Sequence, residues 1–257
     1  MKTAVMICGH GSRDPEAVAE FARTAAGLEA RLPGSDVEAG YLEFARPTIR
    51  EGFEKLAARG AQRILVLPAM LFAASHVKSD LPTEIARFSA DFPQIEMRLG
   101  HALSLEPKLI KAAAERIEEG ERRGMRASAR NQSLLLVIGR GTNDPEANAD
   151  VGKLARMLRD GMGFGRAEIG YSGTAAPLAE PALRHAATLG FKRIIVFPYF
   201  LFTGVLVKRI DAACDRVAAD HPEIKIIEAP YLGDHPLVLD CLADRVAEMM
   251  DAALPTH

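Results

Sequence analysis

The sequence predicts an α/β protein of two tandem Rossmann-like domains, related by internal duplication, each a parallel four-stranded sheet covered by helices. Residues 9–17 (GHGSRDPEA) recur at 139–147 as GRGTNDPEA. Short apolar runs alternate with longer segments of helical periodicity, which is typical of parallel sheets joined by right-handed crossovers. The chain has 257 residues. That length suits two domains of about 125 residues each.

The duplication sets the domain organisation. One offset of 130 residues aligns Gly40 with Gly170, Pro68 with Pro198, and many positions between and around them. A single register held over this span is not expected by chance, and a solenoid would need several short repeats. We therefore predict an N-terminal domain over residues 1–125 and a C-terminal domain over residues 126–257. The polar segment 118–132 (EEGERRGMRASARNQ) is predicted to end a helix and then link the two.

Each element of the first half has a local signal. The apolar run 3–8 predicts a buried strand, and Asp14 before Pro15 predicts the N-cap of a helix over 15–32. Gly60 is predicted to end the helix at 48–59. The other predicted elements are strands at 36–41, 63–67 and 95–99 and helices at 81–88 and 105–119. The second half repeats this order, from a strand at 134–138 through one at 224–228 to a helix at 236–250. The phenylalanines are assigned to the core.

Composition excludes several classes of protein. The net charge is −2 with both signs mixed along the chain, so no nucleic-acid partner is expected. No apolar run approaches the length of about 18 residues that a membrane span needs, and the N-terminal run is too short for a signal peptide. The cytoplasm is the expected location. Three well-separated cysteines, Cys8, Cys214 and Cys241, argue against a disulfide framework, a zinc ribbon and an iron–sulfur site.

Three polar residues follow the predicted strands of the first half. They are His10, Glu43 and His76. Because ligands of open parallel sheets bind beyond the carboxyl ends of the strands, we expect these three side chains to meet at one edge. Two imidazoles and a carboxylate could hold a divalent metal ion, and they also supply bases near neutral pH. A lone loop histidine is more often a surface residue, so the hypothesis depends on their convergence.

The second repeat supplies an internal control for these three positions. At the offset of 130 residues, His10 aligns with Arg140, Glu43 with Gly173 and His76 with Leu206. The glycine and apolar scaffold is retained while every polar candidate is replaced. The sequence therefore predicts one active half, the N-terminal one, and a supporting C-terminal half without catalytic histidines.

Two other site types are alternatives to this metal site. Gly9 and Gly11 after a strand could form a phosphate-binding turn of a nucleotide-binding regulator, but the third glycine of the dinucleotide motif and the P-loop lysine are absent. Ser12 or Ser75 could suggest a hydrolase, but the chain has no Gly-x-Ser-x-Gly elbow. Both motifs favour a turn or a helix cap instead.

At these residues the sequence resembles a known family. The segments 9–13 (GHGSR), 67–82 (LPAMLFAASHVKSDLP) and 139–148 (GRGTNDPEAN) resemble the CbiX-type sirohydrochlorin chelatases, which are class II chelatases. The resemblance extends over nearly the whole chain and includes the duplication, as in the long two-repeat form. It implies two chelatase-type domains that insert a divalent metal ion into sirohydrochlorin without ATP and without a permanently bound cofactor.

The resemblance also implies roles for individual residues. The histidines of the matching motifs, His10 and His76, would bind the metal ion and accept protons, and Glu43 matches the acidic position. Co²⁺ is the expected metal substrate, for cobalamin biosynthesis; Fe²⁺, for siroheme, and Ni²⁺ are alternatives. A non-catalytic carrier of tetrapyrrole or metal is a further alternative, which a rate measurement can exclude.

The macrocycle carries several carboxylates, so cationic and polar groups are expected around its site. The substrate-binding candidates are Ser12, Arg13, Lys78, Arg140 and Lys208. A solvated surface role is an equally open interpretation for each cation. Short members of the family pair as homodimers, so a duplicated chain fits a monomer, and a homodimer is left open.

Overall fold

The predicted α/β architecture is confirmed by a computed structural model, which describes residues 1–74, 76–124 and 129–251, and His76 by its backbone alone. Strands and helices alternate along both halves. The first half contains β1 (Thr3–Gly9), α1 (Pro15–Glu29), β2 (Asp36–Tyr41), α2 (Ile49–Ala58), β3 (Arg63–Pro68), a π-helical segment (His76–Asp80), α3 (Leu81–Asp91), β4 (Glu96–Leu99) and α4 (Pro107–Arg123). The second contains a 3₁₀ turn (Arg130–Gln132), β5 (Leu134–Gly139), α5 (Pro145–Met162), β6 (Arg166–Tyr171), α6 (Ala179–Ala187), β7 (Arg193–Pro198), α7 (Val205–Asp220), β8 (Lys225–Glu228) and α8 (Pro236–Asp251).

The strands form two parallel sheets with the same order. The first runs β2-β1-β3-β4 and the second β6-β5-β7-β8. In the first sheet Cys8 of β1 is in register with Gly40 of β2 and Pro68 of β3. β1 and β5 are central strands with buried residues on both faces, which explains why each reads as a continuous apolar run.

Local signals act as the sequence predicts at several helix ends. The Asp14 carboxylate accepts a hydrogen bond from the backbone N–H of Glu16 at 3.0 Å, and Pro15 occupies the first turn of α1. Thr48 and Glu51 form a capping box at the start of α2. That helix ends at Ala58, and Gly60 follows its cap with a φ of +82°, the left-handed conformation that glycine adopts without strain.

The compact units of the structure differ from the division at residues 125 and 126, a boundary that lies outside the described residues. One unit combines Met1–Ser104 with Pro236–His257, and the other is the continuous segment Leu105–His235. The last helix of each repeat has thus been exchanged. The final helix, α8, packs against α1 and β3 of the first unit, and α4 packs against α5, β7 and β8 of the second.

Close packing and buried polar contacts fix the exchanged helices. In the first unit, a Cβ added at Gly27 of α1 would lie 2.8 Å from Leu239 of α8, so the two helices meet without room for a side chain. Arg98 of β4 donates to the backbone carbonyl of Met249 at 3.0 Å. In the second unit, Arg193 of β7 contacts Glu121 of α4 at 2.7 Å.

The cores follow from the apolar strands and the inward faces of the helices. Phe21, Phe53 and Phe88 are among the largest fully buried side chains. Phe44 is 55% exposed, so its assignment to the core is wrong. The assignment fails because Phe44 belongs to the loop after β2 and not to a strand or helix face. None of the helices in the described ranges is long and apolar enough to cross a membrane.

Candidate functional site

Backbone hydrogen bonds join the loops that carry His10 and Glu43. The N–H of Leu42 donates to the carbonyl of Gly9 at 3.0 Å, and the N–H of Glu43 donates to the carbonyl of His10 at 2.9 Å. These bonds extend the β1–β2 ladder beyond the ends of both strands. Two of the three predicted residues therefore lie next to each other at the carboxyl edge of the first sheet, as the topology requires.

Gly11 lets the two loops approach each other. Its φ is +97°, and a Cβ added there would lie only 1.7 Å from the backbone oxygen of Glu43. Any other residue would push the Glu43 loop away from His10. The second glycine of the motif at residues 9–12 is thus explained by the close passage of another backbone, with no phosphate needed to account for it.

The surroundings of His10 indicate how its ring can act. Nδ1 lies 3.2 Å from the carbonyl oxygen of Gly11, and the residue is half-buried. Because a carbonyl only accepts, a neutral imidazole donates from Nδ1 and carries its lone pair on Nε2. The Glu43 side chain is exposed. An imidazole nitrogen and an accessible carboxylate are groups that can bind a metal ion and accept a proton.

The backbone of His76 begins the π-helical segment after β3. Such wide turns are rare and are often found at functional sites. The His76 side chain lies outside the described part of the chain, so its meeting with His10 and Glu43 stays a prediction. Among the side chains that are described, no group of three histidine, cysteine, aspartate or glutamate residues is arranged to hold a metal ion.

A cavity of about 470 Å³ opens beside Glu43 in the same unit. It lies between the end of β2 and the first turns of α2 and α3. Residues of both charge signs line it, including Glu43, Asp80, Glu84, Arg50 and Arg87. Glu43 therefore lines this cavity and is also joined through its backbone to the His10 loop.

Two nearby groups are unsuited to acid–base or ligand chemistry. Burial raises the pKa of the Cys8 thiol at the end of β1, so this thiol stays protonated and is a poor metal ligand. Burial also raises the pKa of the Tyr41 phenol, which donates to the backbone carbonyl of Val18 at 3.2 Å. Of these groups at the edge, His10 and Glu43 are the ones that stay candidates for such chemistry.

Ser12 has a structural hydrogen bond that both repeats share. Its Oγ accepts from the backbone N–H of Asp14 at 3.0 Å, and Thr142 Oγ1 accepts from Asp144 in the same way at 3.0 Å. This bond orders the turn before the helix, as expected for a serine or threonine two residues before a cap. A contact between Ser12 and substrate stays a prediction.

The four cationic candidates are all exposed. Arg13 and Lys78 belong to the first unit, and Arg140 and Lys208 to the second. The guanidinium carbon of Arg13 lies 5.1 Å from the centre of the Phe44 ring, within cation–π range. Their binding of substrate carboxylates stays a prediction.

The matching edge of the second unit keeps the backbone and lacks the polar side chains. Gly173 donates to the carbonyl of Arg140 at 2.6 Å, as Glu43 does to His10. A Cβ at Gly173 would lie 2.4 Å from that same oxygen, so a glutamate does not fit without a backbone shift. Ser172 Oγ donates to the carbonyl of Leu206, the residue aligned with His76, at 2.7 Å. Structural contacts thus replace the candidate chemistry there.

Sequence reasoning missed Phe44. Its ring stacks on the imidazole of His10, with ring centres 6.0 Å apart and planes inclined by 19°. A signal was present in the repeat, because Thr174 occupies the aligned position. Phe44 therefore changes between the repeats together with the three polar candidates, which is unexpected for a core residue.

Comparison with known proteins places these features in a family. The CbiX family model matches residues 4–120 and 134–249, one match for each repeat. A sirohydrochlorin cobaltochelatase of Priestia megaterium is 33% identical over 96% of this chain and 80% of its own length. A sirohydrochlorin ferrochelatase of the same organism is 31% identical over 97% of this chain and 91% of its own. The solved structure of SirB from Bacillus subtilis with Fe³⁺ matches with a TM-score of 0.85 and 28% identity, covering 98% of this chain and 96% of that one.

Proposed function

We propose, from the fact that this chain belongs to the CbiX family, that it inserts Co²⁺ into sirohydrochlorin without ATP. Sirohydrochlorin chelation is the activity of its full-length relatives, and it is the activity of this chain. The choice of metal is the specific part of the proposal. Cobalt is favoured by the relative at 33% identity, while the ferrochelatase at 31% makes Fe²⁺ the alternative. Imidazole and carboxylate ligands accept either ion.

One observation carries the assignment of the active edge. The backbone hydrogen bond of 2.9 Å from Glu43 to His10 keeps an imidazole and a carboxylate together in the first unit. In the second unit the equivalent bond joins Gly173 to Arg140. The proposed chemistry therefore belongs to the first unit, with His76 as the remaining member of the site.

The reaction replaces two pyrrole protons of the macrocycle by one divalent ion. In the proposed mechanism, Nε2 of His10 binds the incoming Co²⁺, and His76 supplies a second imidazole. As the macrocycle nitrogens take the ion, two protons leave, and the freed imidazoles and the Glu43 carboxylate accept them. Glu43 is exposed and can pass its proton to water. Two or three protein ligands, fewer than a closed structural site uses, allow the ion to be released to the macrocycle.

The remaining parts of the proposal rest on charge and composition. Arg13 and Lys78 of the first unit, and Arg140 and Lys208 of the second, are proposed to bind the substrate carboxylates. The proposed compartment is the cytoplasm and the proposed assembly is a monomer, with no permanently bound cofactor. All three cysteines are buried free thiols, which fits a reducing compartment.

The test is an anaerobic absorbance time course of sirohydrochlorin with Co²⁺ or Fe²⁺. It compares the parent, His10→Ala, His76→Ala and a mixture without protein. The control variant is His185→Ala, which removes an exposed histidine on α6 of the second unit. We expect the parent and His185→Ala to accelerate insertion, and both site variants to lose the acceleration. The ion that the parent inserts faster is then identified as the preferred metal substrate.

The carrier alternative predicts a different result. A carrier would bind sirohydrochlorin tightly and leave the insertion rate at that of the protein-free mixture with either ion. That result would exclude the enzyme. Faster insertion of Fe²⁺ than Co²⁺ would replace the cobaltochelatase proposal by the ferrochelatase.

A further inference from the structure

The loop after β2 contains a strained turn centred on Phe44. The N–H of Ala45 donates to the carbonyl of Glu43 at 2.8 Å, which closes a three-residue γ-turn. Phe44 at its centre has a φ of +61°. The positive-φ form of this turn is rare, and bulky residues seldom adopt it. Strain of this kind persists where the surroundings hold it, often at functional sites.

The turn presents the Phe44 ring to two groups of the proposed site. The ring is 55% exposed, unlike the buried phenylalanines of the core. It stacks on the His10 imidazole at 6.0 Å between ring centres, and the guanidinium carbon of Arg13 lies 5.1 Å from its centre. One side chain therefore contacts both the proposed metal ligand and a proposed carboxylate-binding cation.

The second unit shows that the fold does not need this turn. It keeps the same backbone contact, from Gly173 to Arg140, and has Thr174 in place of Phe44. Within the described residues, positive φ outside glycine occurs at Phe44 and Ser104, and both belong to the first unit. The strained turn and its aromatic ring therefore occur in the unit that has His10, and the fold of the loop does not require them.

We propose that Phe44 is a positioning residue for metal insertion. Its ring restricts the rotation of the His10 imidazole and holds the Arg13 guanidinium at a fixed place beside it. The metal-binding nitrogen and the carboxylate-binding cation then meet the same macrocycle in one arrangement. This inference rests on the proposed function, in which His10 binds the metal and Arg13 the substrate.

The first test separates positioning from folding. Phe44→Gly removes the ring and suits the positive φ of the turn, so relief of strain offsets the entropy that glycine adds to the unfolded chain, and the melting temperature should stay close to that of the parent. We expect its insertion rate to fall by roughly tenfold, because displacing a reacting group by about 1 Å often lowers a rate by a larger factor than this. Thr174→Gly, the same change at the aligned exposed position, should leave the rate unchanged. A Phe44→Gly protein that inserts metal at the parent rate overturns the inference.

The second test asks whether the effect passes through His10. Binding of Co²⁺ alone is measured from its visible absorption bands and by titration calorimetry for the parent, Phe44→Gly, His10→Ala and the double variant. We expect Phe44→Gly to weaken binding and change the spectrum in the parent, and to add nothing in the His10→Ala background. Additive losses, or an unchanged spectrum, would show that the ring does not act on the imidazole.

These measurements distinguish the two proposals. If the parent accelerates insertion and Phe44→Gly does so equally, the function stands and the role of Phe44 fails. If the parent accelerates insertion of neither metal but Co²⁺ binding shows the coupling, the chelatase proposal fails and the contact between Phe44 and His10 is retained as a property of the metal site.

Discussion

The backbone N–H of Glu43 donates to the carbonyl of His10 at 2.9 Å, so the two residues are held together by main chain. A substitution that changes only the Glu43 carboxyl therefore leaves the loop in place. This separation of backbone and side chain makes the proposed chemistry testable one group at a time.

Glu43→Gln should abolish most of the activity without unfolding the protein. The amide is nearly isosteric and keeps the backbone hydrogen bond, but it does not accept a proton. Loss of one acid–base group typically lowers a rate by about a hundredfold or more. Insertion kinetics and thermal melting check this. Glu29→Gln, at an exposed carboxylate ending α1, is the control and should match the parent. Parental kinetics in Glu43→Gln would remove Glu43 from the mechanism.

Gly11→Ala should damage both stability and activity. The added Cβ would lie 1.7 Å from the Glu43 carbonyl oxygen, so the loop must move as well as accept a φ of +97°. We expect a loss of at least about 2 kcal/mol in the free energy of unfolding, and strongly reduced insertion.

Gly60→Ala is the matched control for that change. Its φ is +82°, and nothing lies within 4 Å of the added Cβ. Only the conformational strain remains, of about 1 kcal/mol, and activity should persist. Urea unfolding followed by the insertion assay compares the two. Equal effects at both glycines would mean that the contact with Glu43 is unimportant.

Arg193→Met should loosen α4 in the second unit. Arg193 is 5% exposed, and it donates to Glu121 and to Ser133 Oγ, each at 2.7 Å. Arg130 also pairs with Glu121, at 2.7 Å, so the carboxylate keeps a partner. We expect the free energy of unfolding to fall by about 2 kcal/mol, less than when a buried charge is left alone.

The duplication offers a control at the aligned arginine. Arg63 contacts Glu96 at 2.7 Å, but the two side chains are 18% and 26% exposed. Arg63→Met should therefore lower the free energy of unfolding by only about 1 kcal/mol or less. Denaturant titrations of both variants give the comparison. A larger loss for Arg63→Met would contradict the importance of burial at Arg193.

Glu228 should make stability depend on pH in an unusual direction. Burial, a hydrogen bond with Asp211 and the charges of Asp211 and Asp215 raise the pKa of Glu228 to about 8. Between its ordinary value of 4.5 and about 8, the folded state holds a proton that the unfolded state has released. The contribution of Glu228 to stability is therefore fully present below pH 4.5, and this contribution is lost as the pH rises to about 8.

Melting curves recorded from pH 5 to pH 9 test this effect. Glu228→Gln should remove the fall in melting temperature, since the amide does not titrate. Glu223→Gln is the control, because hydrogen bonds from its own backbone and from His221 lower the pKa of Glu223 and keep its titration below this range. If Glu228→Gln keeps the slope of the parent, another group is responsible.

The fold was predictable because local and long-range signals agree. The run 3–8 is apolar on both faces, as a central parallel strand must be, and Asp14 with Pro15 marks the helix that follows. The exchange of α4 and α8 was not predictable. Each carries an apolar stripe, and the stripe alone does not say which sheet it covers. Contacts made in three dimensions, such as those of Leu239 with Gly27 and of Met249 with Arg98, assign α8 to the first unit.

The site was predictable where topology alone decides it. His10 and Glu43 follow neighbouring parallel strands, so their loops must meet at one edge. Phe44 was missed because a phenylalanine two residues after Leu42 looks like part of an apolar core segment. The positive φ of the turn that places its ring beside His10 has no sequence pattern of its own.

The exchanged helices set the order in which the two units can be completed during translation. The second unit is one continuous segment, Leu105–His235, and holds all its elements before α8 leaves the ribosome. The first unit is complete only after α8 has been synthesised. The Met249 carbonyl of α8 accepts a hydrogen bond from Arg98, which lies 151 residues earlier in the chain. At about 5–20 residues per second, the first sheet spends several seconds or more with its α8 surface uncovered. The first unit, which carries the proposed metal chemistry, is therefore completed last.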